Sequence, residues 1–291
     1  MLHQVRLWLA YSVVLLIWSG TPLAIQWSAT ETGLAFSVAA RMLIASVCAI
    51  CVCLALRRPP PLCTTSCKAY LFMGLGFYVA MLGVYWASTR LNSGLLSVLF
   101  GLTPITTSLL ACWLHQQRLS GPWALAGMAL AVLGLAVIFS DSELLSRDGF
   151  VLGIAVALLA MLANAWTLVW IKQQPAPPPP LELTIGSIWV STPLFLVSWW
   201  VVDGQLPHVL GLRAQLSILY LAVPGSLLAF VLYYYILRHM RAEQVAMILL
   251  FTPVLALAWG HYFNAEQLPQ QTWIGSAMIL LGLASYLRHC R

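Results

Sequence analysis

Ten stretches of about twenty residues, each free of Asp, Glu and Lys, constrain this sequence more than any motif in it. They run near Leu7–Trp27, Leu34–Leu56, Ala69–Thr89, Leu91–Trp113, Pro122–Ser140, Gly149–Ile171, Leu183–Val202, Ala214–Leu237, Gln244–Phe263 and Thr272–Leu287. A helix needs about 20 residues to cross roughly 30 Å of hydrocarbon, where every backbone polar group must bond within its own segment. The expected fold class is therefore an all-α membrane protein with ten transmembrane helices. The rest of the 291 residues supplies short connections and two tails, with no room for a soluble domain. Composition excludes the other classes: with 61% hydrophobic and 8% charged residues, the chain can neither cover a water-facing surface nor stay disordered. Arg6 ahead of the first run suggests a signal peptide. That run is long, contains Pro22 and lacks a small-x-small cleavage site, so it is read as a retained span.

Basic residues set the orientation. With the N-terminus inside, the cytoplasmic ends carry Arg6, Arg57, Arg58, Lys68, Arg118, Lys172, Arg238, Arg241, Arg288 and Arg291, and the outer loops only Arg90, Arg147 and Arg213. The positive-inside rule then places both termini in the cytoplasm, in a bacterial-type inner membrane. The net charge of +6 reflects topology and anionic lipid; it is not clustered as nucleic-acid binding requires.

The sequence also repeats itself. Phe100-Gly101-Leu102-Thr103-Pro104 returns as Leu249-Leu250-Phe251-Thr252-Pro253, and Gln117-Arg118-Leu119 faces Glu266-Gln267-Leu268. Val132-Leu133-Gly134-Leu135-Ala136 returns as Leu280-Leu281-Gly282-Leu283-Ala284, and Tyr85-Trp86 faces Tyr234-Tyr235. Ile17-Trp18-Ser19 has a looser echo in Ala165-Trp166-Thr167. Five spans separate each residue from its partner, and an odd number turns the second copy upside down. The expected units are residues 1–140 and an inverted copy over 149–287, the layout of secondary transporters with a solute site near the midplane.

Ile17-Trp18-Ser19-Gly20, Arg41, Leu102-Thr103-Pro104, Phe251-Thr252-Pro253, Glu266 and the Gly275/Gly282 pair together resemble the EamA-type transporters of the drug/metabolite transporter superfamily. The resemblance spans essentially the whole chain. It implies a non-enzymatic exporter of amino acids, amino-acid-like metabolites or amphipathic and toxic compounds. Two positions depart from the pattern: Gln117 stands where the family often has Glu, and the second half has no evident counterpart to Arg41.

Arg41 is the one charged residue well inside a span, and a charge there faces the protein interior or a wet cavity. It is a candidate to attract an anionic group or to form part of a gate; capping backbone carbonyls is the alternative. Thr103-Pro104 and Thr252-Pro253 interrupt equivalent helices and are candidate hinges. Tyr78 and Tyr85 share a helix face at i,i+7, Tyr234 is the repeat counterpart of Tyr85, and with Trp18, Asn164 and Trp166 they are candidate lining of a solute pocket. All eight acids fall in loops or at span ends, which tells against a membrane-embedded proton relay and gives Glu266 a structural part in closing the ninth helix. Cys63-x-x-x-Cys67 lacks supporting ligands for a metal, and no catalytic or cofactor-binding motif is present. The expected partners are a small-molecule substrate and the lipid bilayer, with a homodimer left open. The expected function is alternating-access transport, with a channel-like facilitator or a non-transporting scaffold as the alternatives.

Overall fold

The computed structural model describes residues 2–57, 59–115, 122–138, 140, 146, 148–207, 210–240 and 242–289. Arg58, Gln117, Arg118, Leu119, Asp141, Glu143, Arg147, Arg241 and Arg291 lie outside the described residues. Within them every regular element is helical. In chain order these are α1 Leu2–Thr32, α2 Leu34–Leu56, α3 Thr64–Ser88, α4 Ser93–Phe100, α5 Thr103–His115 and α6 Pro122–Ile138. There follow α7 Phe150–Lys172, α8 Pro180–Val202, α9 Leu212–Tyr220, a π-helical segment Leu221–Leu228, α10 Ala229–His239, α11 Ala242–Asn264 and α12 Gln270–His289.

Among the described residues, seven stretches are long and apolar enough to cross a membrane: Gln4–Thr32, Leu34–Leu56, Thr64–Ser88, Ser93–Leu114, Phe150–Lys172, Pro180–Val202 and Leu212–Tyr233. The sequence reading expects three more crossings, in the regions covered by α6, α11 and α12. The chain is thus a multi-pass, all-helical membrane protein. Several hydroxyls within the helices are satisfied by bonding one turn back: Thr21 donates to Ile17 O at 2.9 Å, Ser28 to Ile25 O at 3.0 Å and Thr192 to Ile188 O at 2.7 Å. A single residue, Gly33, separates α1 from α2; its φ of 80° is open to glycine and strained for other residues.

The matched prolines do not act alike. The fourth span breaks between Phe100 and Thr103, and Pro104 sits in the first turn of α5, where its missing N–H costs nothing. Pro253 lies inside α11, which runs unbroken, with the Thr252 hydroxyl donating to Ile248 O at 2.7 Å. The difference lies two positions upstream of each Thr. Gly101 is a poor helix former and lets the chain turn, whereas its counterpart Leu250 favours continued helix. Gly101 also lies against Pro253, since a Cβ on it would be 3.2 Å from the proline Cγ.

Two patterns of packing hold the helices. The most extensive pair among the described residues is α6 with α12. A Cβ on Gly127 would lie 2.5 Å from Gly282 O, and one on Gly134 would lie 2.6 Å from Gly275 O. Glycines at this seam let two backbones touch, which is how helices associate where lipid removes the hydrophobic drive. The larger core joins α2, α3, α7 and α8 through Val38, Met42, Tyr85, Ile154, Met161, Ile185 and Phe195, and a smaller one joins α1, α10 and α11 through Tyr11, Val14, Ile236 and Ile248.

Candidate functional site

Arg41 sits in the middle of α2, only 3% exposed. Its Nε–H donates to Ser226 Oγ at 3.1 Å, and its Nη1 is 3.9 Å from Met81 Sδ on α3. Ser226 belongs to the π-helical segment, and its hydroxyl in turn donates to Leu221 O, five residues back, at 2.9 Å. A guanidinium keeps its charge and carries five N–H donors. The two polar atoms that meet it here are a hydroxyl and a thioether, neither of them an anion.

Pro224 lies inside the π-helical segment, where its missing N–H removes one bond of the backbone ladder. The ladder resumes with Ala229 N–H donating to Pro224 O, five residues back. Such segments recur at functional sites, because the extra residue per turn can be redistributed along the helix. The sequence reading does not foresee that the intramembrane arginine would anchor there.

The candidate aromatic residues divide into separate groups. Tyr78 turns to α8, its hydroxyl 2.5 Å from Ser198 Oγ and its ring 4.9 Å from that of Phe195. Tyr85, two turns on, is fully buried, and its hydroxyl has no hydrogen-bond partner among the described residues. Trp18 belongs with α10 instead, 4.8 Å from the Tyr233 ring and 5.7 Å from Phe230. Asn164 is half-buried on α7, while Trp166 on the same helix is 41% exposed, on the outward face. The backbone of Tyr234 is helical, and its side chain lies outside what the structure describes.

The Trp18-Ser19-Gly20 motif acts through all three residues. Ser19 Oγ accepts from Trp259 Nε1 at 2.9 Å, and Gly20 leaves room for the Tyr220 hydroxyl, which donates to Ile17 O at 2.7 Å. A Cβ on Gly20 would lie 2.9 Å from that hydroxyl. One short motif in the first half thus holds three helices of the second.

At the end of the molecule where α1 finishes, a polar cluster closes the seam between the halves. Glu266 is 6% exposed and accepts from Ser93 N–H at 3.1 Å, the Ser93 hydroxyl at 2.6 Å, Gly94 N–H at 3.4 Å and Asn264 Nδ2 at 3.2 Å. Asn264 Nδ2 also donates to Gln26 Oε1 at 3.3 Å, and its Oδ1 accepts from Trp27 Nε1 at 2.8 Å and Arg213 Nη2 at 3.1 Å. The Arg213 guanidinium covers the Trp27 ring at 4.1 Å. Toward the opposite end of α1 lies an open hollow of about 550 Å³ lined by Gln4, Val5, Trp8, Leu9 and Ser12. Cys63 begins α3 beyond the membrane-spanning stretch, where hydrogen bonding from Ser66 holds its thiol below the usual range. Among the described residues no group of three His, Cys, Asp or Glu side chains is placed to hold a metal.

A multi-pass helical bundle with one buried intramembrane charge and a polar seam between its halves has the architecture of a membrane transporter. The profile of the EamA-like transporter family matches residues 7–140 and again 151–288, and the chain belongs to that family. A relative in Escherichia coli, described as a probable amino-acid metabolite efflux pump, is 25% identical over 73% of this chain and 75% of its own length. An uncharacterized transporter of Archaeoglobus fulgidus is 27% identical over 68% of this chain and 69% of its own. Protein PecM of Dickeya dadantii is 24% identical over 72% and 69%. One solved crystal structure shares the fold with a TM-score of 0.62 at 18% identity, covering 95% of this chain and 94% of that one.

Proposed function

We propose that the chain is a ten-span carrier of the inner membrane, with both termini in the cytoplasm, that exports a small organic solute by alternating access. Its two halves, 1–140 and 149–287, are inverted five-helix repeats. The observation that carries this reading is the reciprocal packing of matched glycines: Gly127 matches Gly275 and Gly134 matches Gly282, and Gly127 packs against Gly282 while Gly134 packs against Gly275. Repeats that touch through equivalent residues can exchange conformations about a shared axis, opening one site to each side in turn. The closed cluster at Glu266 suits a state shut at the outer end.

Arg41 offers its charge to a carboxylate or similar anionic group of the solute, while Tyr78, Tyr85, Asn164, Trp18 and Tyr234 remain the candidates for stacking and polar contacts; Trp166, on the outward face, is left out of the pocket. Thr103-Pro104 and Thr252-Pro253 serve as the hinge positions, and the broken fourth span gives the first pair the greater freedom. The efflux pump of Escherichia coli makes amino acids and their conjugates the first solutes to test. Purified protein is expected to melt at higher temperature with a transported amino-acid derivative, since saturation at about 100 times Kd adds ~2.7 kcal/mol to stability. Unchanged melting across amino acids, conjugates and amphipathic drugs, each at millimolar concentration, would count against a carrier of these classes.

A further inference from the structure

We propose that Glu266 is the latch of the outer gate, a carboxylate from the second half that caps the broken fourth span of the first and must release it whenever the carrier opens outward. The proposal rests on the alternating-access reading above and adds a residue and a mechanism to it.

Helix α4 begins at Ser93 without a cap of its own, for Asn92 at the N-cap position makes no side-chain capping bond. Its first N–H groups need acceptors, and in a buried end water does not supply them. Glu266 supplies them from another helix pair, 173 residues away in sequence, by taking the backbone N–H and hydroxyl of Ser93 and the N–H of Gly94. A carboxylate here also meets the positive end of the α4 dipole. Its seat is built for it: a Cβ on Gly260 would lie 2.6 Å from Glu266 Oε2 and 2.9 Å from Ser93 Oγ.

The surrounding contacts cross the same seam. Asn264 reaches from Glu266 to Gln26, Trp27 and Arg213, so one amide ties the end of α1 to the starts of α4 and α9. Separating the halves at this end breaks the bonds from Asn264 to Gln26 and Trp27 together with those from Glu266 to Ser93 and Gly94. A cap made within one helix would not change when the halves part; this one does.

The repeat gives the latch a direction. The residue matched to Glu266 in the first half is Gln117, a neutral amide. Hydrogen bonds to an ionised acceptor are about twice as strong as neutral ones, so a carboxylate at Glu266 favours a shut outer end. The carrier then waits open to the cytoplasm, as an exporter must to collect its solute.

The test uses full-length protein in lipid nanodiscs with its seven native cysteines replaced, and two single-cysteine reporters. Ser97→Cys lies buried beneath the latch, and Ser12→Cys lines the hollow at the opposite end. In the parent, maleimide is expected to label Ser12→Cys quickly and Ser97→Cys slowly. Glu266→Ala should raise labelling of Ser97→Cys about tenfold and lower that of Ser12→Cys in parallel, since losing a charged hydrogen-bond partner shifts an equilibrium by that order. Glu266→Gln, which keeps one acceptor, should shift both reporters the same way but less, and it serves where the alanine variant does not accumulate. Labelling that rises at Ser97→Cys with no fall at Ser12→Cys would mean local loosening and overturn the latch, as would no change at either reporter. Fast labelling of both reporters in the parent would overturn the alternating-access reading itself, and the latch with it.

Discussion

Gly275→Val should leave almost no folded protein to purify. The Cβ added at Gly275 would lie 2.6 Å from Ile138 Cγ1 and 3.2 Å from Ile138 N, and it would also strike Gly134 O. Side chains can yield, and overpacking then costs about 1–3 kcal/mol; backbone atoms in a helix pair cannot yield without parting the pair. We expect a loss of about 3 kcal/mol or more, with the branched Val pushing α6 and α12 apart along their glycine seam. Gly134→Val should do the same from the other side. Gly225→Ala is the control, because its nearest neighbour is Tyr220 O at an ordinary 3.5 Å. The check is the monodisperse fraction after extraction and the melting temperature of what survives. A Gly275→Val protein that purifies and melts like the parent would remove the close seam from the account.

Arg41→Gln should abolish most transport while the protein stays folded in the membrane. The variant keeps donors for Ser226 but loses the charge that an anionic solute would meet. Charged hydrogen bonds contribute about 1.5–3 kcal/mol, which corresponds to a roughly ten- to hundredfold fall in transport per reconstituted molecule. Arg41→Lys should retain part of the activity, having charge without the planar fork. Transport by Arg41→Gln at the parental rate would leave Arg41 as an anchor for the π-helical segment and nothing more.

Local chemistry was legible in the sequence, and long-range partnership was not. The second span, Leu34–Leu56, matches α2 to the residue, because Gly33 and the Arg57-Arg58 pair bracket an unbroken apolar run. Arg41 stood out as an intramembrane charge for the same reason. Its partner Ser226 did not, since a serine in an apolar run carries no mark in the sequence that its backbone is π-helical. Glu266 was read as closing its own helix, and its N–H does donate to Gly260 O at 3.1 Å; its carboxylate also caps α4, and the missing signal for that was the uncapped start at Asn92-Ser93, visible once the two ends are adjacent. The Thr-Pro pairs looked equivalent because the repeat matches them. The neighbours Gly101 and Leu250, different in helix propensity, decide that one helix breaks and the other does not. Among the aromatic candidates, spacing put Tyr78 and Tyr85 on one face of α3. Spacing within a helix could not say that Trp166 would face outward while Trp18 packed on Tyr233.

The central claim is that two interlocked halves carry solute by exposing one site alternately, and counterflow in proteoliposomes tests it most directly. Vesicles loaded with unlabelled amino-acid derivative and diluted into a trace of the labelled form should show transient accumulation of label that saturates with concentration. A flux that rises linearly with concentration, with no accumulation driven by the internal solute, would describe a pore and contradict the account.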